Sequence, residues 1–311
     1  ADAAVGGFDR LLVAVEALVA LRFLGRASPQ RAANVHMHVG LEDLRGSVGN
    51  PVPSRAQGGR VTAPAAGIPE NPEQSCLPMD ASAHVVRSTY GPVELLGALT
   101  DVELRNAPAQ LHVTGYPDLV QHGRRVAIVG SRDASELGLR RAARLAHALV
   151  EQQITVVSGL ARGIDTAAHR AAIERGGRTI AVLGTPLDQC NPRANEPLQD
   201  EIGARHLLIS QFAIGQPTQR SHFVLRNRTM ALVSHASVIV EAGEGSGSLS
   251  QGWEALRLGR PLFLMKSLFE NPALKWPTEM LDYGALILSE PEELLAALPQ
   301  PQDFEPQDAP F

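Results

Sequence analysis

With 311 residues, of which 44% are hydrophobic and 20% charged, the chain fits one large domain with an appendage and can bury a full core. A net charge of −5 and an aromatic content of 4% argue against a generally basic nucleic-acid coat and against a large base-stacking platform. The charge is uneven, however: residues 126–265 hold 15 Arg, no Lys and 12 Asp plus Glu, which permits a local arginine patch on an acidic protein.

In chain order, residues 8–24 have the spacing of an amphipathic helix and Ser28-Pro29 opens a second, so residues 1–45 are expected to form a small helical N-terminal region. The apolar stretch 11–24 contains Glu16 and Arg22 and is too short and too charged to span a bilayer. It also lacks the basic start and small-residue cleavage site of a signal peptide, so no membrane association and a cytoplasmic location are expected. Cys76 and Cys190 fit no metal or disulfide spacing and read as reduced thiols. Residues 46–88 read as a linker, with six Pro and five Gly between positions 46 and 78. The main domain is expected over 89–298, followed by an acidic, proline-rich disordered tail over 299–311.

Inside the main domain a short helix at 93–99 and a small strand at 111–115 precede a regular alternation. Six apolar strand candidates lie at 126–130, 154–158, 179–183, 207–210, 237–241 and 261–265. Helical spacing appears at 135–150, 164–175, 196–204, 226–235 and 249–258, and a helix at 272–281, a strand at 285–288 and a helix at 291–298 close the domain. Strands apolar on both faces, alternating with helices, predict an α/β fold with a doubly wound, mostly parallel sheet. In such a sheet the strand carboxyl ends face one crevice, and ligands bind there.

Polar segments follow several of these strands. Gly130, Ser131 and Arg132 close the first, offering a backbone that a ligand can approach, a hydroxyl and a fixed charge, though an ordinary strand–helix turn accounts for them equally well. Ser158, Gly159, Arg162 and Gly163 precede the next helix; Asp165 reads as a cap or dipole partner at least as readily as a catalyst, with His169 hydrogen-bonding it, and an Asp–His pair without a nucleophile makes hydrolysis a minority reading. Arg193 follows the third strand, and Asn195 is expected to cap the helix after it. Arg226, Asn227 and Arg228 are read as a helix start, where two arginines oppose the dipole unless an anion lies near. Glu241 ends a buried strand and is expected to take hydrogen bonds from the glycine-rich loop or to pair with an arginine. Ser246, Gly247 and Ser248 have the character of an anion nest or of a solvated turn. Neither GxGxxG nor a P-loop is present, so no cofactor and no metal are expected.

The segments VAIVGSR, SGLARGIDTAAH, GGRTIAVLGTPLD, PRAN, RNR and VIVEAGEGSGSL occur in an order that resembles the DNA-processing protein A (Smf-type) family over residues 104–290. The resemblance implies an extended Rossmann-like domain that binds single-stranded DNA without being an enzyme. It further implies a homodimer that loads a RecA-type recombinase on incoming DNA in natural transformation. Carried over by position, the DNA groove would comprise Gly130, Ser131, Arg132, Ser158, Gly159, Arg162, Gly163, Arg193, Asn195, Arg226, Asn227, Arg228, Glu241, Ser246, Gly247 and Ser248. Arg132, Arg162, Arg193, Arg226 and Arg228 would be the phosphate contacts. Departures from the family include Asn191 for tyrosine and Val224 for proline. Two other readings share the same crevice. One is a nucleoside-monophosphate phosphoribohydrolase, with Glu241 or Glu254 replacing the carboxylate that Gln251 displaces. The other is a sensor that binds a nucleotide without chemistry.

Overall fold

The computed structural model describes residues 87–298; the expected N-terminal helices, most of the linker and the tail lie outside the described residues. Nine strands form one sheet: β1 (Arg87–Tyr90), β2 (Leu111–Gly115), β3 (Arg125–Val129), β4 (Thr155–Ser158), β5 (Thr179–Leu183), β6 (Leu207–Ser210), β7 (Ala236–Ile239), β8 (Leu262–Met265) and β9 (Leu286–Leu288). Their order is β1-β2-β6-β5-β4-β3-β7-β8-β9. From β6 to β9 every pairing is parallel, while β1 and β2 add an antiparallel edge beside β6. The α/β, doubly wound expectation holds. The linker expectation ran two residues too far, because Arg87 and Ser88 are already paired with Thr114 and Val113.

Ten α-helices accompany the strands among the described residues. They are α1 (Pro92–Leu96), α2 (Asp101–Asn106), α3 (Asp118–Gln121), α4 (Glu136–Glu151), α5 (Ile164–Glu174), α6 (Glu196–Arg205), α7 (Arg220–Val233), α8 (Ser248–Arg257), α9 (Trp276–Asp282) and α10 (Pro291–Ala296). None is long and apolar enough to cross a membrane.

Alternation along the central strands sorts the core into layers. Val126 and Ile128 of β3 pack with Leu145 and Leu149 of α4 and with Ala168 of α5 on one face. Ala127 and Val129 face the other way, toward Met230 and Val233 of α7 and Ala255 of α8. Every residue of β3 to β7 is buried, which is why these strands read as largely apolar runs. Two boundaries differ from expectation for local reasons. Helix α9 starts at Trp276, with Pro277 in its first turn where a missing N–H costs nothing. Helix α7 starts at Arg220, six residues earlier than expected, after a loop whose Phe212 ring stacks on the His222 ring at 4.0 Å.

The chain leaves β3 in one direction to build β4, β5 and β6, then returns past β3 to build β7, β8 and β9. The carboxyl ends of β3 and β7 therefore flank the point where winding reverses, and the loops leaving them part to form a crevice.

Candidate nucleic-acid interface

A cleft of about 340 Å³ opens at this reversal point. Gly130, Ser131 and Arg132 from the β3 exit form one wall; Ser246, Gly247 and Ser248 from the β7 exit form another. Phe223, Arg226 and Asn227 of α7 close the third side, and Ala161 and Asp165 from the β4 exit complete the floor. Eight of the sixteen residues singled out from sequence thus meet in one cavity.

The wall is tied together by backbone and hydroxyl bonds. Ser131 N–H donates to the Glu241 carbonyl at 2.6 Å, and the Ser248 hydroxyl donates to the Gly130 carbonyl at 2.7 Å. Gly130 is close-packed against Ile164 and the Glu241 backbone, so its lack of a side chain serves the protein's own packing and not a ligand's approach. Asn227 donates to the Gly247 carbonyl at 3.1 Å and to the Ser250 hydroxyl at 2.5 Å, which fixes the 246–248 loop to α7. Arg132 is exposed at the rim, 5.7 Å above the Phe223 ring centroid, a cation–π distance.

The floor carries buried charge. Arg226 is 5% exposed; its Nε donates to Asn227 Oδ1 at 3.0 Å and its Nη1 to the Val182 carbonyl at 2.9 Å. A Cβ on residue 159 would overlap the Arg226 guanidinium, so only glycine admits it there. Asp165 is 4% exposed and accepts from the N–H groups of Gly159 (3.2 Å) and Ala161 (3.4 Å). Burial raises the Asp165 pKa, opposed by Arg226 and by those two N–H donors. Burial lowers the Arg226 pKa, with Asp165 pulling it back up. Gly163 holds φ at +81° where the chain turns into α5, and a Cβ there would strike the Ser131 carbonyl.

The remaining predicted residues lie around the cleft or beneath it. Arg162 is exposed, donates to the Arg132 carbonyl at 3.3 Å and pairs with Asp133, so it braces the β3 exit from outside. Arg193 is exposed on a 3₁₀ turn beside this flank. Arg228 does not line the cleft; it pairs with Glu254 at 3.4 Å. Ser158 is fully buried, and its hydroxyl lies beside the Asp165 carboxylate but donates to the Ile128 carbonyl at 2.6 Å.

Four local expectations are corrected. Asn195 stands at the N-cap position of α6 but gives it no side-chain cap bond; its amide donates to the Leu160 carbonyl (2.9 Å) and the Thr166 hydroxyl (2.8 Å), docking its turn onto the β4 exit. His169 does not bond Asp165; its Nδ1 meets the Thr179 hydroxyl at 2.7 Å, and burial lowers its pKa to about 3. Glu241 neither serves the glycine-rich loop nor pairs with an arginine. Its carboxylate takes the Ser135 N–H at 2.8 Å and the Ser135 hydroxyl at 2.5 Å, anchoring the start of α4, where negative charge suits the helix dipole. Arg226 and Arg228 sit in the middle of α7, so the dipole argument made for them fails.

Phe223 and Asp165 are among the cleft residues whose part the sequence did not disclose. The only hint was the six-residue spacing from Gly159 to Asp165, which lets the carboxylate fold back on its own loop. Gln251, at the position of the expected enzymatic carboxylate, is buried, with its amide on the Ser237 hydroxyl at 3.1 Å. Glu254 is held by Arg228 and Arg257, and Glu241 by Ser135. No His, Cys, Asp and Glu cluster that could hold a metal occurs among the described residues.

Comparison with known proteins places these features. Residues 96–299 match the family model described as DNA recombination-mediator protein A. The DNA processing protein DprA of Streptococcus pneumoniae is 38% identical over 194 residues, which cover 62% of this chain and 68% of that protein. Protein Smf of Escherichia coli is 35% identical over 233 residues, covering 74% of this chain but only 58% of its own length. Among solved structures, DNA processing protein A of S. pneumoniae matches with a TM-score of 0.60 at 33% identity, over 68% of this chain and 75% of that one. The Helicobacter pylori protein, solved for its single-stranded DNA binding mode, matches with a TM-score of 0.57 over 68% of this chain and 95% of its own; at 24% identity it speaks for the fold alone.

Proposed function

This chain belongs to the DNA recombination-mediator protein A family, and on that premise we propose that it binds single-stranded DNA along the cleft at the β3 and β7 carboxyl ends. The observation that carries the reading is the convergence of Arg132, Arg226 and the Ser246, Gly247 and Ser248 loop on one cavity, from three separate parts of the chain. Exposed Arg132, beside the 246–248 loop, takes phosphate oxygens, with Arg162 and Arg193 extending the basic track along one flank. Scarce aromatics favour phosphate-led binding that tolerates any sequence along most of the strand.

The protein works as a homodimer and loads a RecA-type recombinase on incoming DNA in natural transformation, without chemistry of its own. In keeping with a non-enzymatic role, Glu241 and Glu254 are engaged elsewhere and neither lines the cleft. Release of free base from a nucleoside monophosphate would favour the phosphoribohydrolase reading; nucleotide binding without DNA binding would favour the sensor.

Fluorescence anisotropy of labelled single-stranded and duplex DNA across a salt series tests the proposal. Single strands are expected to bind more tightly, with a log–log salt slope of about −0.7 per phosphate contacted. Absence of binding at low salt removes it.

A further inference from the structure

Among its many arginines the chain has only two lysines, Lys266 and Lys275, and both lie in the connection that leaves the carboxyl end of β8. Residues 261–298 hold no arginine and six acidic residues, so these lysines are the only cations of an acidic stretch. Both are exposed, and neither is paired with an acid among the described residues. The arginines of α7 and α8 that follow the cleft residues are already engaged, Arg228 and Arg257 both on Glu254.

The connection is firmly held. Leu268 and Trp276 are buried, Phe269 and Leu274 pack against the same core, and Asn271 Oδ1 accepts the Ala273 N–H at 3.1 Å. The Lys275 N–H donates to the Glu244 carboxylate at 2.5 Å. Glu244 stands two residues before Ser246, so the lysine connection is clamped to the loop that forms one wall of the cleft. Its backbone is fixed while its two ammonium groups stay free for an outside anion.

Sheet order fixes where this charge falls. Strands β3, β7 and β8 are consecutive neighbours, and with about 4.8 Å between paired strands the β8 exit stands roughly 10 Å from the β3 exit. The β7 exit, with its 246–248 loop, lies between them. Arg132, Arg162 and Arg193 follow β3, β4 and β5, on the other side of that loop. A strand lying across the cleft carries phosphates on both sides of it, and the arginines meet those of one side alone. Resting on the single-strand binding proposed above, we infer that the bound strand continues past the 246–248 loop and over the β8 exit, where Lys266 and Lys275 neutralise its phosphates. An ammonium is a compact charge on a flexible stem, so it follows a phosphate whose position varies, where a guanidinium demands a fixed geometry. The path thus crosses the strand ends from β5 to β8.

Acetylation by sulfo-N-hydroxysuccinimidyl acetate, followed residue by residue by mass spectrometry on the full chain, reads these two side chains without competition from any other lysine. Saturating long oligodeoxythymidylate is expected to slow both several-fold, while dTMP, too short to reach past the loop, leaves both rates unchanged. The double variant Lys266→Ala, Lys275→Ala is expected to lower the log–log salt slope for the long strand by about 1.4, at about 0.7 per phosphate. Unslowed acetylation at saturating DNA overturns the path while leaving single-strand binding intact, as does an unchanged slope in the folded double variant. Protection by dTMP equal to that by the long strand also overturns it, because the shielding then comes from the loop and not from the strand. If the double variant does not fold, the acetylation rates of the unaltered protein decide alone. Failure to bind any strand at low salt removes the single-strand reading itself.

Discussion

At the amino ends of the strands, buried Arg125 has every part of its guanidinium occupied: Nε on the Val233 carbonyl at 2.7 Å, Nη1 on the Gly123 carbonyl at 3.0 Å, and Nη2 against the His235 ring at 3.1 Å. Nearby Arg260 pairs with Glu103, which in turn accepts from the Thr100 N–H at 2.8 Å. At the carboxyl ends Asp165 and Arg226 are as deeply buried but line an open cleft. Buried charge alone therefore does not mark a site in this protein. Burial lowers the pKa of Arg125 to about 9, a shift that at face value would draw attention to the wrong end of the sheet. What separates the two regions is whether the buried charge lines an open cleft.

Acid should strain the saturated end first, and this is the largest effect expected. His169, His206 and His235 stand at or beside the amino ends, and burial lowers their pKa values to about 3, 4 and 2. The unfolded chain then takes up protons at its ordinary histidine pKa, near 6.5, before the folded one does. Stability is accordingly full above that pH and falls below it, by about 1.4 kcal/mol per pH unit for each histidine. Asp165 works in the opposite direction, since a raised carboxyl pKa favours the folded state in acid and that benefit fades as the pH rises. Melting temperatures between pH 7 and pH 4 should drop steeply, and His169→Gln should flatten the drop. A profile unchanged in that variant would break the assignment.

Arg125→Ala comes next. Losing the charged donors to Val233 and Gly123 should cost about 3 kcal/mol, seen as a melting temperature roughly 6–12 °C lower. The folded fraction should bind oligonucleotide as before, and weakened binding would erase the distinction between the two ends. Gly159→Ala makes the reverse case: the new methyl displaces the Arg226 guanidinium, with about tenfold weaker binding and a stability cost of about 1–3 kcal/mol. Arg132→Ala should leave stability alone and reduce the salt slope by about 0.7, read from the same titrations. Arg228→Ala should have the smallest effect on binding, because Glu254 already holds that guanidinium; a slope change as large as that of Arg132→Ala would place Arg228 in the DNA track after all.

The sequence disclosed the strands well, because a parallel strand covered on both sides is buried at every position and so mostly apolar, and β3 to β7 are all of that kind. It also drew the Gly130, Ser131, Arg132 segment and the Ser246, Gly247, Ser248 segment toward a common crevice, since strand direction fixes which loops share a face. It could not disclose partners separated by long stretches of chain. Glu241 meets Ser135 and Asn195 meets Leu160 through tertiary packing, while local rules offered a loop contact for one and a helix cap for the other. Arg226 misled for a similar reason: α7 begins at Arg220, and nothing in the pattern around residues 216–220 announced a helix start so early.

The bond between Ser135 and Glu241 also bears on when the protein can act. These residues are 106 positions apart, and a growing chain lengthens by about 5–20 residues per second. For roughly 5–20 seconds after α4 has been synthesised, neither the carboxylate that anchors its start nor the 246–248 loop exists. The nascent chain thus carries its exposed arginines without an assembled cleft, and any grip on nucleic acid is deferred until β7 has taken its place beside β3.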